Sequence, residues 1–168
     1  MAVGVDKTRT TKERGQALED LFCYLLAGVQ GLKVRRNILN PYRSEEVDVA
    51  VANDRVNNGL ACFPYLFLVE CKNWSDPVDA KAISAFINKL ENRSIELGIL
   101  VAASGVTGDP SELTSAYQTA SMAQARGRRL LLLSLKDLTA LTTSDDLTDL
   151  LVQRLLGVVA CGTFELPA

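Results

Sequence analysis

At 168 residues, 48% of them hydrophobic and 23% charged, the chain has the size and balance of one globular domain and is far from a disordered composition. It contains no histidine, which removes Ser-His-Asp and Cys-His nucleophiles and every His-ligated metal site, leaving carboxylates, lysine and a hard cation as the available chemistry. The net charge of −2 is not that of an avid nucleic-acid binder, although residues 1–43 hold eight basic side chains against four acidic ones, a basic edge that serves either phosphates or simply solvent.

In chain order, residues 1–9 are expected to be a flexible N-terminus and 10–168 a single domain. Thr10 and Glu13 have the spacing of a capping box, and Leu18, Leu21, Phe22, Leu25 and Leu26 recur at helical spacing, predicting a helix to about residue 27. Residues 32–39 read as a strand closed by an Asn40-Pro41 turn. Over 46–52 Val47, Val49 and Val51 alternate with Asp48, Ala50 and Ala52, which predicts a strand with two different faces. The apolar run at 65–71 suits the centre of a sheet.

A helix is expected at 79–92 with Ile83, Phe86, Ile87 and Leu90 as its buried stripe, then a strand at 97–103. Asp109-Pro110-Ser111-Glu112 has the form of a helix start, Gly127 that of its end, and 128–135 and 147–156 read as a last strand and a last helix. The order α-β-β-β-α-β-α-β-α implies an α/β protein with a mixed central sheet flanked by helices. No stretch approaches the roughly 18 apolar residues that span a bilayer, and the polar N-terminus lacks the apolar core of a secretory signal. A cytoplasmic location follows as the expectation. Cys23, Cys62, Cys71 and Cys161 lack zinc-site spacing, and at least three are expected to be small, reduced core residues.

Chemistry concentrates on two adjacent strands. Side chains alternate along a strand, so Glu70 and Lys72 project from one face at the end of the apolar run, just before the polar Asn73–Pro77 stretch. Antiparallel pairing of this strand with its predecessor brings Asp48 opposite Glu70. Two carboxylates and the backbone carbonyl of Cys71 make an all-oxygen site suited to Mg²⁺, with Mn²⁺ as substitute. The metal would polarise a phosphodiester and lower the pKa of a bound water, and Lys72 would orient that water or offset charge on the phosphate. A strand ending in Glu-x-Lys is common on its own, and Asp48 alone could equally pair with Arg43 or Lys33. The conjunction of the three is the signal.

Asp48 followed by Glu70-Cys71-Lys72 resembles the PD-(D/E)xK nuclease signature, and the wider text resembles the Mrr-like restriction-endonuclease branch. The likeness runs through GQALEDLFCYLL (15–26), EEVDVAV (45–51), FLVECKNWSDPVDAKAISAF (67–86), LGILVAASGVTGDPSELTSAYQTA (97–120) and GRRLLLLSLKDL (127–138). It implies a restriction-endonuclease-like three-layer α/β/α fold and an endonuclease acting on DNA, plausible in restriction or defence. Asp48 and Glu70 would be metal ligands, Lys72 would serve the water, and Glu19 on the first helix would complete the site. Ser44-Glu45-Glu46 stands where such proteins often carry a glycine, and Cys71 where glutamine is frequent; neither removes a catalytic group.

Tyr117 and Gln118 are further candidates for approaching nucleic acid and Trp74 for stacking on a base, each against a packing or surface role. Cutting both strands needs two sites, which points to a homodimer or a partner subunit; Leu147, Leu150, Leu151 and Leu155 serve either that or internal packing. A catalytically silent binding or structural subunit, and an RNA-directed or structure-specific nuclease, are the alternatives.

Overall fold

The valine alternation of residues 46–53 and the apolar run of 66–72 form the middle of a five-stranded sheet. The computed structural model describes residues 11–108 and 115–162. Its elements are α1 (Thr11–Ala27), β1 (Leu32–Leu39), β2 (Glu46–Asn53), β3 (Leu66–Lys72), α2 (Ala80–Asn92), β4 (Leu97–Ala102), α3 (Ala116–Ala125), β5 (Arg129–Ser134), α4 (Leu135–Ala140) and α5 (Ser144–Cys161). The strands lie in sequence order, β1-β2-β3-β4-β5. The first three pair antiparallel, and β3-β4 and β4-β5 pair parallel through α2 and α3.

Helices cover both faces. Leu18, Phe22 and Leu26 of α1 and Leu147, Leu151 and Leu155 of α5 pack with Val49, Val51, Phe67, Val69, Ile99 and Leu131 on one face. Ile83, Phe86, Ile87 and Leu90 of α2 and Ala116, Tyr117 and Ala120 of α3 pack with Leu68, Leu100 and Leu132 on the other. The result is the mixed three-layer α/β/α arrangement expected from the element order. α2 comes unusually close to the sheet because Gly98 lies beneath it: a Cβ there would fall 2.8 Å from the Phe86 ring and 2.9 Å from Leu90. No helix among the described residues is long and apolar enough to cross a membrane.

Several expectations change in detail. Thr10, residues 1–9 and the Asp109–Glu112 helix start lie outside the described residues. The strand read over 128–135 ends at Ser134, where the Ser134 hydroxyl accepts from the Asp137 N–H and the Asp137 carboxylate accepts from the Ser134 N–H, a capping box that opens the extra helix α4. A second box, Thr143 with Asp146, starts α5 three residues before the apolar stripe suggested. Cys23 and Cys71 are half-buried against the core, but Cys62 is exposed. Leu60 and Phe63 take the buried places in that connection and leave Cys62 outside. Leu147, Leu151 and Leu155 are buried within the domain, so they are spoken for by internal packing.

Candidate active site

The site lies where β2 and β3 separate. Their ladder runs from Ala52↔Leu66 to Val49↔Val69 and stops there. Beyond it Glu70, Cys71 and Lys72 pair only with Leu100, Val101 and Ala102 of β4. In place of a β2 backbone carbonyl, the Cys71 N–H donates to Oδ2 of Asp48 at 2.8 Å. On the other side of β2, Asn37 has φ 51° between the Arg36↔Val49 and Ile38↔Val47 pairs, a left-handed kink opposite Asp48 that asparagine tolerates well. The valine alternation breaks at the same place: Val49 and Val51 join the α1/α5 core, whereas Val47 joins the α2/α3 core. β2 therefore turns as it leaves β3, and Asp48 is the residue at the turn.

Glu70 is buried, with 5% of its side chain exposed, and both its oxygens are occupied. Lys72 Nζ donates to Oε1 at 2.7 Å, which puts the two on one face as the period of two requires. Lys89, from the α2 helix above, donates to Oε1 at 3.0 Å and Oε2 at 2.7 Å. Phe86 and Leu90, clamped over Gly98, hold that stretch of α2 against the sheet and so set where Lys89 reaches. Arg93, one turn on, donates to the Lys89 carbonyl at 3.2 Å and pairs with Glu45, so the segment before β2 is tied to the same helix.

The electrostatics follow from burial and proximity. Desolvation, and next the negative charge of Glu70, push the Asp48 carboxyl above the usual carboxylate range; the Cys71 N–H and the two lysines only partly offset this. Burial works to lower Lys72, but the charge and hydrogen bond of Glu70 outweigh it and hold the ammonium protonated more firmly than usual. The Cys71 thiol is pushed well up, by burial first and then by Asp48 and Glu19, so it is no thiolate nucleophile at neutral pH.

Two acids crowded into a partly dry corner, relieved only in part by two lysines and the Cys71 N–H, are a donor set that fits a hard divalent ion. Among the described residues no group of three or more His, Cys, Asp or Glu side chains is arranged to hold a metal. Asp48, Glu70 and a backbone carbonyl such as that of Cys71 could supply the protein ligands, and waters and a phosphate the rest, the usual manner of Mg²⁺.

Asp48, Glu70 and Lys72 are thus brought together, and Glu19 is near enough for its charge to act on Cys71. Glu19 is buried on α1 and accepts from Arg36 Nε at 2.7 Å, with Asp20 taking the other end of the same guanidinium at 2.5 Å. Lys33, the alternative partner for Asp48, pairs with Asp54 instead. With Arg36 and Lys33 neutralised, the basic edge of residues 1–43 is smaller than its sequence suggests. Tyr117 is buried in the α2/α3 core and Gln118 is exposed. Trp74 is exposed beside the site, with Lys72 Nζ 5.9 Å from its ring centroid. Lys89 is the residue the sequence did not single out. Its only signal is position: three residues after Phe86 and one before Leu90, it borders the buried stripe of α2.

No curated protein matches the chain. Among solved structures it resembles the crystal structure of the protein of unknown function AF1548, at 15% identity and a TM-score of 0.44 over 86% of this chain and 76% of that one, a distant likeness of shape. The restriction endonuclease family model matches residues 11–142, from the start of α1 to just past α4 and across every strand. Nucleases of the wider superfamily generally use divalent metals. The match covers the greater part of the chain, and the chain belongs to the Mrr-like restriction endonuclease family of PD-(D/E)xK nucleases.

Proposed function

We propose that this protein is a Mg²⁺-dependent endonuclease that hydrolyses DNA phosphodiester bonds at the rim of its sheet, in restriction or another defence against foreign DNA. The observation that carries the reading is the junction where β2 leaves β3: Asp48 and Glu70 converge there with Lys72 held 2.7 Å from Glu70. A divalent ion bound there would polarise the phosphodiester and lower the pKa of a water.

The chain's own residues do the rest. Asp48, whose ionised form is disfavoured by burial and by Glu70, gains from any cation that arrives between them. The Cys71 N–H fixes the Asp48 carboxylate, so the donor is pointed before a ligand binds. Lys72, firmly protonated beside Glu70, supplies positive charge where it builds up on the phosphate oxygens and donates a hydrogen bond to the attacking water. Glu19, paired with Arg36 and near enough for its charge to act on Cys71, completes the site from α1.

Cleavage of duplex, branched, methylated and RNA substrates, each with Mg²⁺, Mn²⁺ or EDTA, tests the reading. Metal-dependent nicking or cutting of DNA that is lost in Asp48→Ala, Glu70→Ala and Lys72→Ala is the expected result. Wild-type rates in Lys72→Ala would remove that lysine's role, and DNA binding with no turnover on any substrate would favour a silent subunit instead.

A further inference from the structure

The two lysines around Glu70 are not equivalent. Lys72 touches Oε1 alone, whereas Lys89 bridges Oε1 and Oε2 at 3.0 and 2.7 Å and, among the described residues, is the side chain that donates to Oε2. Lys89 is also the more enclosed of the two, with 16% of its side chain exposed against 24% for Lys72. Its backbone is fixed as well: Phe86 and Leu90 clamp α2 over Gly98, and the Lys89 carbonyl accepts from Arg93. A bridging ammonium on both oxygens of a buried carboxylate takes the place that a divalent ion would take on the same carboxylate.

We infer that Lys89 is a built-in competitor for the metal: its ammonium and a divalent cation exclude one another at Glu70, and Lys89 thereby sets the affinity of the site. The inference rests on the reading of Asp48 and Glu70 as metal ligands. Without metal, Lys89 offsets the Glu70 charge. Loading then requires Lys89 to withdraw from Oε2, and the four-carbon stem gives it room to do so while α2 stays in place. A divalent ion at the Glu70 edge that Lys89 occupies would add its double charge at close range to the two ammonium groups already on this carboxylate, and the site is partly dry, where that repulsion is least screened. Metal affinity is consequently lower than the bare pair of carboxylates would give. A cation already in place also holds both oxygens of Glu70 before loading.

Isothermal titration of the full chain with Mn²⁺ alone, without nucleic acid, tests this. Lys89→Met frees Oε2 and is expected to bind Mn²⁺ about tenfold more tightly than wild type, equivalent to about 1.4 kcal/mol. Lys89→Gln, which keeps an amide donor but no charge, should tighten binding in the same direction and serves if Lys89→Met fails to fold. Lys89→Arg, which restores a bridging cation, should bind no more tightly than wild type. A purely structural role would weaken binding in all three. Wild-type affinity, within twofold, in both Lys89→Met and Lys89→Gln overturns the inference. Glu70→Gln separates the two ideas: if it binds Mn²⁺ as wild type does, the ligand assignment itself fails. If it abolishes binding while the Lys89 variants stay unchanged, only the competition fails.

Discussion

Asp48 and Glu70 are neighbours with the same charge, yet their removal should move the stability of the metal-free protein in opposite directions. Glu70 is 5% exposed and is the counter-charge for Lys72 and Lys89. Glu70→Gln keeps the shape and one acceptor but leaves two enclosed ammonium groups with Asp48 alone. Breaking a buried pair by removing one partner costs about 3–5 kcal/mol, and because both lysine ends reach some solvent the lower figure of about 2–3 kcal/mol applies here. At about 2–4 °C per kcal/mol for a chain of this size, Tm should fall by about 4–12 °C.

Asp48→Asn should do the reverse. The folded protein raises the Asp48 pKa, so the ionised form is the penalised one: the penalty is full above the raised pKa and vanishes as pH falls towards the ordinary value of 3.8. Asparagine removes the charge and keeps an acceptor for the Cys71 N–H. Tm should therefore rise at pH 7, and the gain should shrink in acid. Thermal melts of the three proteins in EDTA, at neutral pH and near pH 4, provide the comparison. A higher Tm for Glu70→Gln, or a lower one for Asp48→Asn at pH 7, would refute this division of roles.

Lys72→Ala should lower the rate of DNA cleavage by about 10²–10³-fold. Its melting curve should change little, because Lys89 still bridges Glu70; circular dichroism and a nicking assay on one preparation show both. Gly98→Ala places a methyl 2.8 Å from the Phe86 ring, overpacking that costs about 1–3 kcal/mol; urea unfolding measures it, and an unchanged midpoint would mean that α2 is not seated as described. Hydrogen bonds from the Thr142 hydroxyl and from the Thr142 and Thr143 N–H groups hold Asp146 down to about 2. Its contribution is present above pH 3.8 and lost as pH falls towards about 2. Asp146→Ala should thus unfold at lower urea than wild type at pH 7 and at nearly the same urea at pH 2.

Much of this was legible in the sequence because it depends on period. The two-residue repeat puts Glu70 and Lys72 on one face, and the apolar stripes of α1 and α2 fix which helix surfaces meet the sheet. What period cannot show is where a ladder stops. The parting of β2 from β3 beyond Val49, the kink at Asn37 and the transfer of Val47 to the other core coincide where the Asp48 carboxylate accepts the Cys71 N–H, and none of these has a two-residue period. Lys89 was hidden for a related reason, since a lysine bordering an apolar stripe is normally a solvated end, and only tertiary packing aims it at Glu70. Cys62 shows the converse: small apolar residues in a connection are buried only if larger neighbours leave space, and Leu60 and Phe63 do not. The α4 start was readable, because Ser134 and Asp137 have capping-box spacing, but the leucine run at 130–133 continues into Leu135 and masks it.

The most direct measurement is anomalous diffraction from crystals soaked in Mn²⁺. A single peak is predicted between the side chains of Asp48 and Glu70, about 2.0–2.3 Å from an oxygen of each, with the Lys89 ammonium moved off Oε2. Full soaking with no peak there, and with Lys89 still bridging both Glu70 oxygens, would contradict the account.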